Sequence, residues 1–397
     1  MGQRIAIIGG GIGGLTAALL LIQRGFDVHI YERAPQLLEL GAGLQLGPNA
    51  VRILHAIGLA GGLARIGCQA PQFAIRRWKD GEQIAAREQA RFEEIYGVPN
   101  YTVHRGELLS LLLHEFPQER VHVSHACQSI ADDGQQVRIG FANGREEVAD
   151  LVIGADGIHS TIRAAIIGPD KPLFSGFCAY RGIIPADRFD RIGEDKRAAC
   201  WLGPGAHIAH YPISAGALIN VVGVVTEPSW TRESWFDQAS KAEYLAHLQD
   251  WHPGLRAIVS ALEDEEIMKW ALYDREPLPT WSRGRVVLLG DAAHAMLSFM
   301  GQGAAQAIED GAVLARCLDT LAPDIALSTY ERTRRPRASQ IQAASRANGV
   351  TFHLPDGAAQ QERDAAMKGF MAREASQSSD PVFSYNALEI ELEMAAA

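Results

Sequence analysis

The residues best suited to chemistry in this chain sit in three glycine-rich turns, each at the carboxyl end of an apolar run. In the first, Ile5 to Ile8 leads into Gly9-Gly10-Gly11-Ile12-Gly13-Gly14, so Gly9, Gly11 and Gly14 satisfy GxGxxG. The first glycine permits a tight turn and the second lets the backbone approach a pyrophosphate. The third lets helix and strand pack closely. N–H groups left unpaired at the helix start then hold the phosphate charge. Glu32, 18 residues after Gly14, is placed to accept hydrogen bonds from ribose hydroxyls and disfavours a 2′-phosphate there. The motif alone does not separate FAD from NAD.

The other two turns end in aspartate: Gly154-Ala155-Asp156-Gly157 and Gly290-Asp291-Ala292-Ala293-His294. Each puts a carboxylate at a strand's carboxyl edge, where open α/β sheets bind ligands. After the second, Gly301-Gln302-Gly303 opens a long helix whose start offers N–H donors to a group that becomes anionic, such as the edge of a reduced flavin. The plain alternative is that both aspartates cap helices. Three ligand-facing turns in one chain favour function.

A general base is sought in Gly205 to Ile213 (GAHIAHYPI). Strand alternation puts His207, Ala209 and Tyr211 on one face and Ile208 and His210 on the other, so His207 and Tyr211 can point together into a pocket. The alternative is a polar face that meets solvent. His294 is a second candidate, with a structural role as its alternative. Arg181 in AYRG could meet a carboxylate, since arginine gives bidentate contact; it could equally bind FAD or another side chain. Arg332, Arg334, Arg335 and Arg337 read as a solvated helix face.

Elements must position these groups. Ile5–Ile8, a helix over Leu15–Arg24 ended by Gly25, and a strand over Asp27–Tyr31 form one β-α-β unit. Helical patterning is read over 49–57, 107–114, 241–247, 255–262 and 303–318, and buried strands at the end of 147–154 and over 285–289. From Phe177 to Val225 short alternating runs separated by Gly and Pro predict an antiparallel sheet. Thr329 to Arg346 reads as a helix kinked or broken at Pro336, and the tail beyond Ala375 is poorly patterned until Asn386. No second GxGxxG follows a strand, so no separate nicotinamide domain is expected.

At 397 residues the chain is long for one core, so two lobes are expected. Hydrophobic residues at 47% and charged residues at 21% exclude a disordered chain, a collagen and a coiled coil. The longest apolar run, Leu15 to Ile22, is far below the ~18 residues of a membrane span. A net charge of −10 argues against nucleic acid as a partner. Cys68, Cys127, Cys178, Cys200 and Cys317 show no CxxC spacing, so no disulfide frame or metal site is expected, and the cytoplasm is the expected compartment.

With these motifs in this order, the chain resembles the single-component FAD-dependent aromatic hydroxylases. That group contains salicylate hydroxylase, hydroxybenzoate hydroxylases and 6-hydroxynicotinate monooxygenase. The likeness runs from about residue 3 to about residue 346 and rests on GGGIGG with Glu32, His104-Arg105-Gly106-Glu107-Leu108, GADGIHSTIR and GDAAHAMLSFMGQGAAQAIED. It implies an α/β fold in which a Rossmann-like FAD domain (1–72, 98–170, 276–345) is interleaved with an antiparallel-sheet substrate domain (73–97, 171–275). C-terminal helices follow over 346–397.

The resemblance also implies roles. Gly9, Gly11, Gly14, Glu32 and Arg33 would hold the ADP part of FAD, and Arg105 the region of its pyrophosphate. Asp156 would serve both FAD and the nicotinamide nucleotide, Asp291 the ribityl and phosphate, and Gly301, Gly303 and Ala304 the isoalloxazine ring. His207 would be the base, with Tyr211, Gln45, Arg181 and Phe299 as further substrate contacts. Gln45 stands where the hydroxynicotinate enzyme has a histidine, which weakens the hydroxypyridine reading. Ala295 and Ser298 replace two family prolines, leaving the pocket shape open there.

The implied reaction uses NADH or NADPH and O2 to hydroxylate a small phenolic acid through a flavin C4a-hydroperoxide, with or without loss of its carboxylate. Salicylate or a hydroxybenzoate is the first choice of substrate and a hydroxypyridine carboxylate the second. An FAD-dependent reductase on the same fold and a non-catalytic nucleotide sensor are the competing readings. A monomer and a homodimer are both compatible with the sequence.

Overall fold

In the computed structural model, residues 2–37, 43–194, 197–230, 237–377 and 380–394 are described. Its first sheet has the spatial order Ser282–Arg283, Val286–Leu288, Leu151–Gly154, Arg4–Ile8, Asp27–Tyr31, Val121–His122. All its pairings are parallel except that of the short edge strand Ser282–Arg283. The apolar runs are buried on both faces, as parallel strands are.

Register decides where the turns meet. Ile8 pairs with both Gly154 and Tyr31, and Gly154 pairs with Leu288. Three strands therefore end level, and the turns after Ile8, Gly154 and Leu288 emerge side by side at one edge. Backbone bonds continue across them, Ala155 N to Ile8 O at 2.8 Å and Leu289 N to Gly154 O at 2.9 Å. Helix Ile12–Ile22 is apolar nearly all round because it lies between this sheet and helix Gly303–Thr320. A Cβ on Gly311 would stand 3.1 Å from the Ala17 nitrogen, so glycine sets how closely those helices approach.

The second sheet has eight strands, ordered 237–238, 268–274, 173–185, 218–226, 206–213, 198–203, 72–77, 83–88. It is antiparallel except between Gln72–Arg77 and Ala198–Gly203. Tyr180, Trp201, Ile208 and Val221 pack on one face with the helices Lys241–Ala246 and Pro253–Ser260. The opposite face looks toward the glycine turns.

Several elements differ from the sequence reading. The stretch 147–154 does end in a buried strand, Leu151–Gly154, but a separate strand, Glu146–Ala149, precedes it in a different sheet. Between them Asp150 turns the chain, and its carboxylate accepts from the Arg4 N–H at 2.7 Å. The arginine-rich helix runs unbroken from Pro323 to Thr351 with Pro336 inside it. Pro336 removes one N–H, and packing against helix Gly303–Thr320 outweighs that loss. A helix over Ala358–Gln377 and a short one over Pro381–Ser384 occupy the tail, of which Ser378 and Ser379 lie outside the described residues. Among the described residues no helix is long and apolar enough to cross a membrane, all five cysteines are free, and no cluster could hold a metal ion.

Candidate active site

Between the two sheets lies a cavity of about 850 Å³. Gly11 to Gly14, Arg105, Asp291 and the stretch Phe299 to Ala304 form one wall. The facing wall is the second sheet, read along its cross-strand rows. Arg181 pairs with Val222, Val222 with Ala209, Ala209 with Cys200 and Cys200 with Ile75, and all five line the cavity. His207, which pairs with Val224, and Tyr211 extend that face two residues to either side of Ala209, and Val224 and Ala198 also line the cavity. Thr351, Phe352, Met367, Phe370 and Phe383 from the C-terminal segment close the remaining side.

The glycine wall is shaped for a phosphate. A Cβ on Gly14 would fall 2.2 Å from the Gly9 carbonyl, and one on Gly9, at φ +112°, 2.3 Å from the Ala155 carbonyl. At Gly11 a Cβ would meet nothing within 4 Å, so its backbone is open to the cavity. Helices Ile12–Ile22 and Gly303–Thr320 both start at this wall with no side-chain cap and no acidic residue in the first turn. Two positive helix ends thus face one chamber.

Helix Gly303–Thr320 is held by a buried polar network. Arg334 bonds Glu309 at 2.5 Å and Asp310 at 2.8 Å, and His294 Nε2 bonds Asp310 at 2.6 Å. Asp310 also accepts from the Gly290 N–H at 3.0 Å. Against the cost of burial, His294 and Arg334 draw its carboxyl down to about 2, so it stays ionised. Asn49 bonds both Glu309, at 2.6 Å, and Gln302, at 3.0 Å, which fixes the glycine stretch before the helix. His294 is buried in this network and does not line the cavity, so it acts here as scaffold.

The arginine cluster is therefore not a solvated face. Arg334 is fully buried, and Arg337 bonds Glu309 at 2.7 Å. Arg332 donates to the Glu393 carbonyl and Arg335 to that of Pro279. The sequence shows like charges in a row; the compensating carboxylates come from another helix.

A family model described as "FAD binding domain" matches residues 3–345. The chain belongs to that family, the single-component FAD aromatic hydroxylases. The hydroxylase is 41% identical over 367 residues to 3-amino-4-hydroxybenzoate 2-monooxygenase PtmB3 of Streptomyces platensis, with 92% of each chain covered. It is 39% identical over 353 residues to 6-hydroxynicotinate 3-monooxygenase of Pseudomonas fluorescens, covering 87% of this chain and 91% of that one. Among solved structures, Klebsiella pneumoniae HpxO complexed with FAD and uric acid superposes with a TM-score of 0.86 at 25% identity, covering 96% and 98% of the two chains.

The hydroxylase's own residues fit FAD: an open Gly11 backbone and two uncapped helix starts suit a pyrophosphate and a flavin edge. Asp291 opens into the cavity and is exposed there, the surrounding walls raising its carboxyl although His294 and Arg105 pull it down. Other sequence candidates lie elsewhere. Glu32 accepts from the N–H groups of Gly10, at 2.8 Å, and Ala34, at 2.9 Å, bracing the loop from behind. Arg33 is exposed. Asp156 accepts from Ser160 Oγ and the N–H groups of Thr161 and Ile162, the helix-start role weighed as its alternative. Glu32, Arg33 and Asp156 are not among the cavity's lining residues, whereas Ala155 and Gly157 are.

Gln45, Arg181, His207, Tyr211 and Phe299 all line the cavity. The Phe299 ring stands edge-on to His207 at 5.3 Å. Burial pushes Tyr211 up to about 12, with Arg181 pulling the other way, so it remains a neutral donor near pH 7. Arg181 lies over the Trp270 ring at 4.9 Å, and among the described residues no carboxylate pairs with it.

Two features escaped the sequence reading. His353 bonds His207, Nε2 to Nδ1, at 2.8 Å. Gln342, Ser345 and Asn348, stepping by three along one helix face, donate to the carbonyls of Ala295 at 2.9 Å, Leu297 at 2.5 Å and Phe299 at 3.4 Å. They tie down the loop in which Ala295 and Ser298 stand in place of prolines. A polar stripe at helical spacing was the available signal for the second feature; the first had none.

Proposed function

We propose that this FAD-dependent hydroxylase uses NADH or NADPH and O2 to hydroxylate a small phenolic aromatic acid of the hydroxybenzoate or salicylate type. The observation that carries this reading is Arg181, a guanidinium in the cavity wall with no carboxylate partner among the described residues. A planar cation stacked on Trp270 suits a ring-borne carboxylate. His207 and Tyr211 share that wall, and a carboxylate on Arg181 brings the ring's hydroxyl toward them.

Bound FAD supplies the electron transfer and oxygen activation. The protein's part is to hold, orient and deprotonate. The glycine turns and Asp291 would hold the cofactor, and the helix start at Gly303 would favour negative charge on a group bound beside it. His207 removes the hydroxyl proton, because a phenolate ring is the better nucleophile. Phe299, Phe352, Met367 and Phe370 keep water from the reacting face.

The relatives' names support this class, since 3-amino-4-hydroxybenzoate and 6-hydroxynicotinate each carry a hydroxyl and a carboxylate on one ring. A hydroxypyridine carboxylate is the second reading, favoured by the 39% identity and weakened by Gln45, which lines the cavity where the hydroxynicotinate enzyme has a histidine. The test is oxidation of NADH and of NADPH by FAD-loaded protein with a panel of both acid types, with product masses. Acceleration by one acid, with one oxygen atom added or replacing the carboxylate, is the expected result. Acceleration by none of them overturns the reading.

A further inference from the structure

We propose that His353 is the second member of a two-histidine proton relay, taking over the proton that His207 removes from the substrate hydroxyl. This rests on the reading of His207 as base and adds the group that lets it act.

The geometry is specific. His207 Nδ1 and His353 Nε2 are 2.8 Å apart, with the rings inclined by 24°. Both rings are buried. Phe299 and Phe352 stand edge-on to His207, and Phe177 and Phe299 pack on His353. Among the described residues no carboxylate or cation bonds either ring, and His207 Nε2 has no protein partner. The same molecule shows the alternative arrangement in His294, whose ring is anchored on the Asp310 carboxylate at 2.6 Å. A carboxylate orients an imidazole; a second imidazole can also take its proton.

A contact between two ring nitrogens at this distance holds one proton. With it on His207 Nδ1, the lone pair of Nε2 is free to accept. The transfer balances as follows. The substrate O–H breaks as an N–H forms at His207 Nε2, and the Nδ1–H of His207 breaks as an N–H forms at His353 Nε2. The histidine pair gains one positive charge, the substrate oxygen gains one negative charge, and no electrons change hands.

The fold favours the proton on His353. That residue lies two positions beyond the end of a helix running from Pro323 to Thr351, and a helix carboxyl end stabilises a cation. Its carbonyl accepts from the Gly205 N–H at 3.1 Å, which fixes it beside the strand carrying His207. Burial lowers both rings, His353 to about 4, so before substrate binds the pair is neutral and ready to accept. An anionic substrate beside them shifts both back upward.

The experiment uses FAD-loaded protein and 4-hydroxybenzoate as the probe. Its hydroxyl ionisation in the bound state is followed by ultraviolet difference absorbance across pH, and kcat is measured in parallel with the acid that most accelerates NADH oxidation. The variants are His353→Gln, which can still hold the His207 ring but cannot accept a proton, His353→Phe and His207→Gln. In wild type the bound hydroxyl should ionise at least one pH unit below its value in water. His353→Gln should lose most of that shift and about tenfold in kcat near pH 7, with an unchanged melting temperature.

A wild-type shift lost in His207→Gln but kept in His353→Gln means that His353 only positions the ring, and overturns the relay alone. A wild-type shift kept in His207→Gln, or no wild-type shift, overturns the base reading and the relay with it. Loss in His353→Phe with full rescue by His353→Gln likewise rejects proton transfer in favour of orientation.

Discussion

Ser345 Oγ donates to the Leu297 carbonyl at 2.5 Å, tying the long C-terminal helix to the loop between Asp291 and helix Gly303–Thr320. Both groups are buried, so Ser345→Ala leaves a carbonyl without a partner. A loss of about 1–3 kcal/mol in urea unfolding is expected. Because the same loop carries Phe299, the fraction of NADH oxidation that yields hydroxylated product should also fall. Ser345→Thr should retain both.

Arg181 makes a prediction about substrate chemistry. If its guanidinium binds the ring carboxylate, Arg181→Gln should raise KM for the accelerating acid by about tenfold to a hundredfold, the worth of a charged hydrogen bond. The corresponding carboxamide, a poorer ligand of the wild type, should bind both proteins alike. Equal losses for acid and amide would assign Arg181 to the cofactor instead.

Gly11 and Gly14 separate cofactor binding from folding. A Cβ at Gly14 would collide with the Gly9 carbonyl at 2.2 Å, whereas one at Gly11 would stand in open cavity space. Gly14→Ala should therefore lower the melting temperature of the FAD-free protein, and Gly11→Ala should leave it unchanged. Both should lose yellow flavin absorbance on desalting.

Arg334 lies between Glu309 and Asp310, all three fully buried. Arg334→Met removes the cation shared by two buried carboxylates, leaving Glu309 to Arg337 and Asp310 to His294, and breaking a buried pair costs about 3–5 kcal/mol. The expected result in calorimetry is a protein that unfolds well below the wild type or fails to accumulate. A near-normal melting temperature would mean that Arg337 takes over the charge.

The legible part of this molecule is the part written in local period. Ile5–Ile8 and Val286–Leu288 announce buried strands by composition, and their level ends bring the glycine turns together. Alternation in 206–213 put His207 and Tyr211 on one face, and both do line the cavity. What could not be read depends on partners distant in sequence. Arg334 looks solvated until Glu309 and Asp310 arrive from another helix, and His353 gains its meaning only beside His207. Asp156 and Glu32 show the reverse limit, since a carboxylate in a ligand-binding motif also has backbone N–H groups within reach.

The histidine pair also makes stability depend on pH. His353 is lowered from 6.5 to about 4 by burial, so the unfolded chain binds its proton first as pH falls. The stability it contributes is full above about pH 6.5, is lost progressively below that, and is gone by about pH 4. At pH 5 the loss from this group is about 2 kcal/mol. Other lowered histidines, His29, His122 and His247 among them, add slope in the same direction. Comparing wild type with His353→Asn isolates the one ring: urea unfolding at pH 7.5 and pH 5.0 should show a drop about 2 kcal/mol smaller in the variant. Equal drops would mean that His353 keeps an ordinary affinity for its proton in the folded protein.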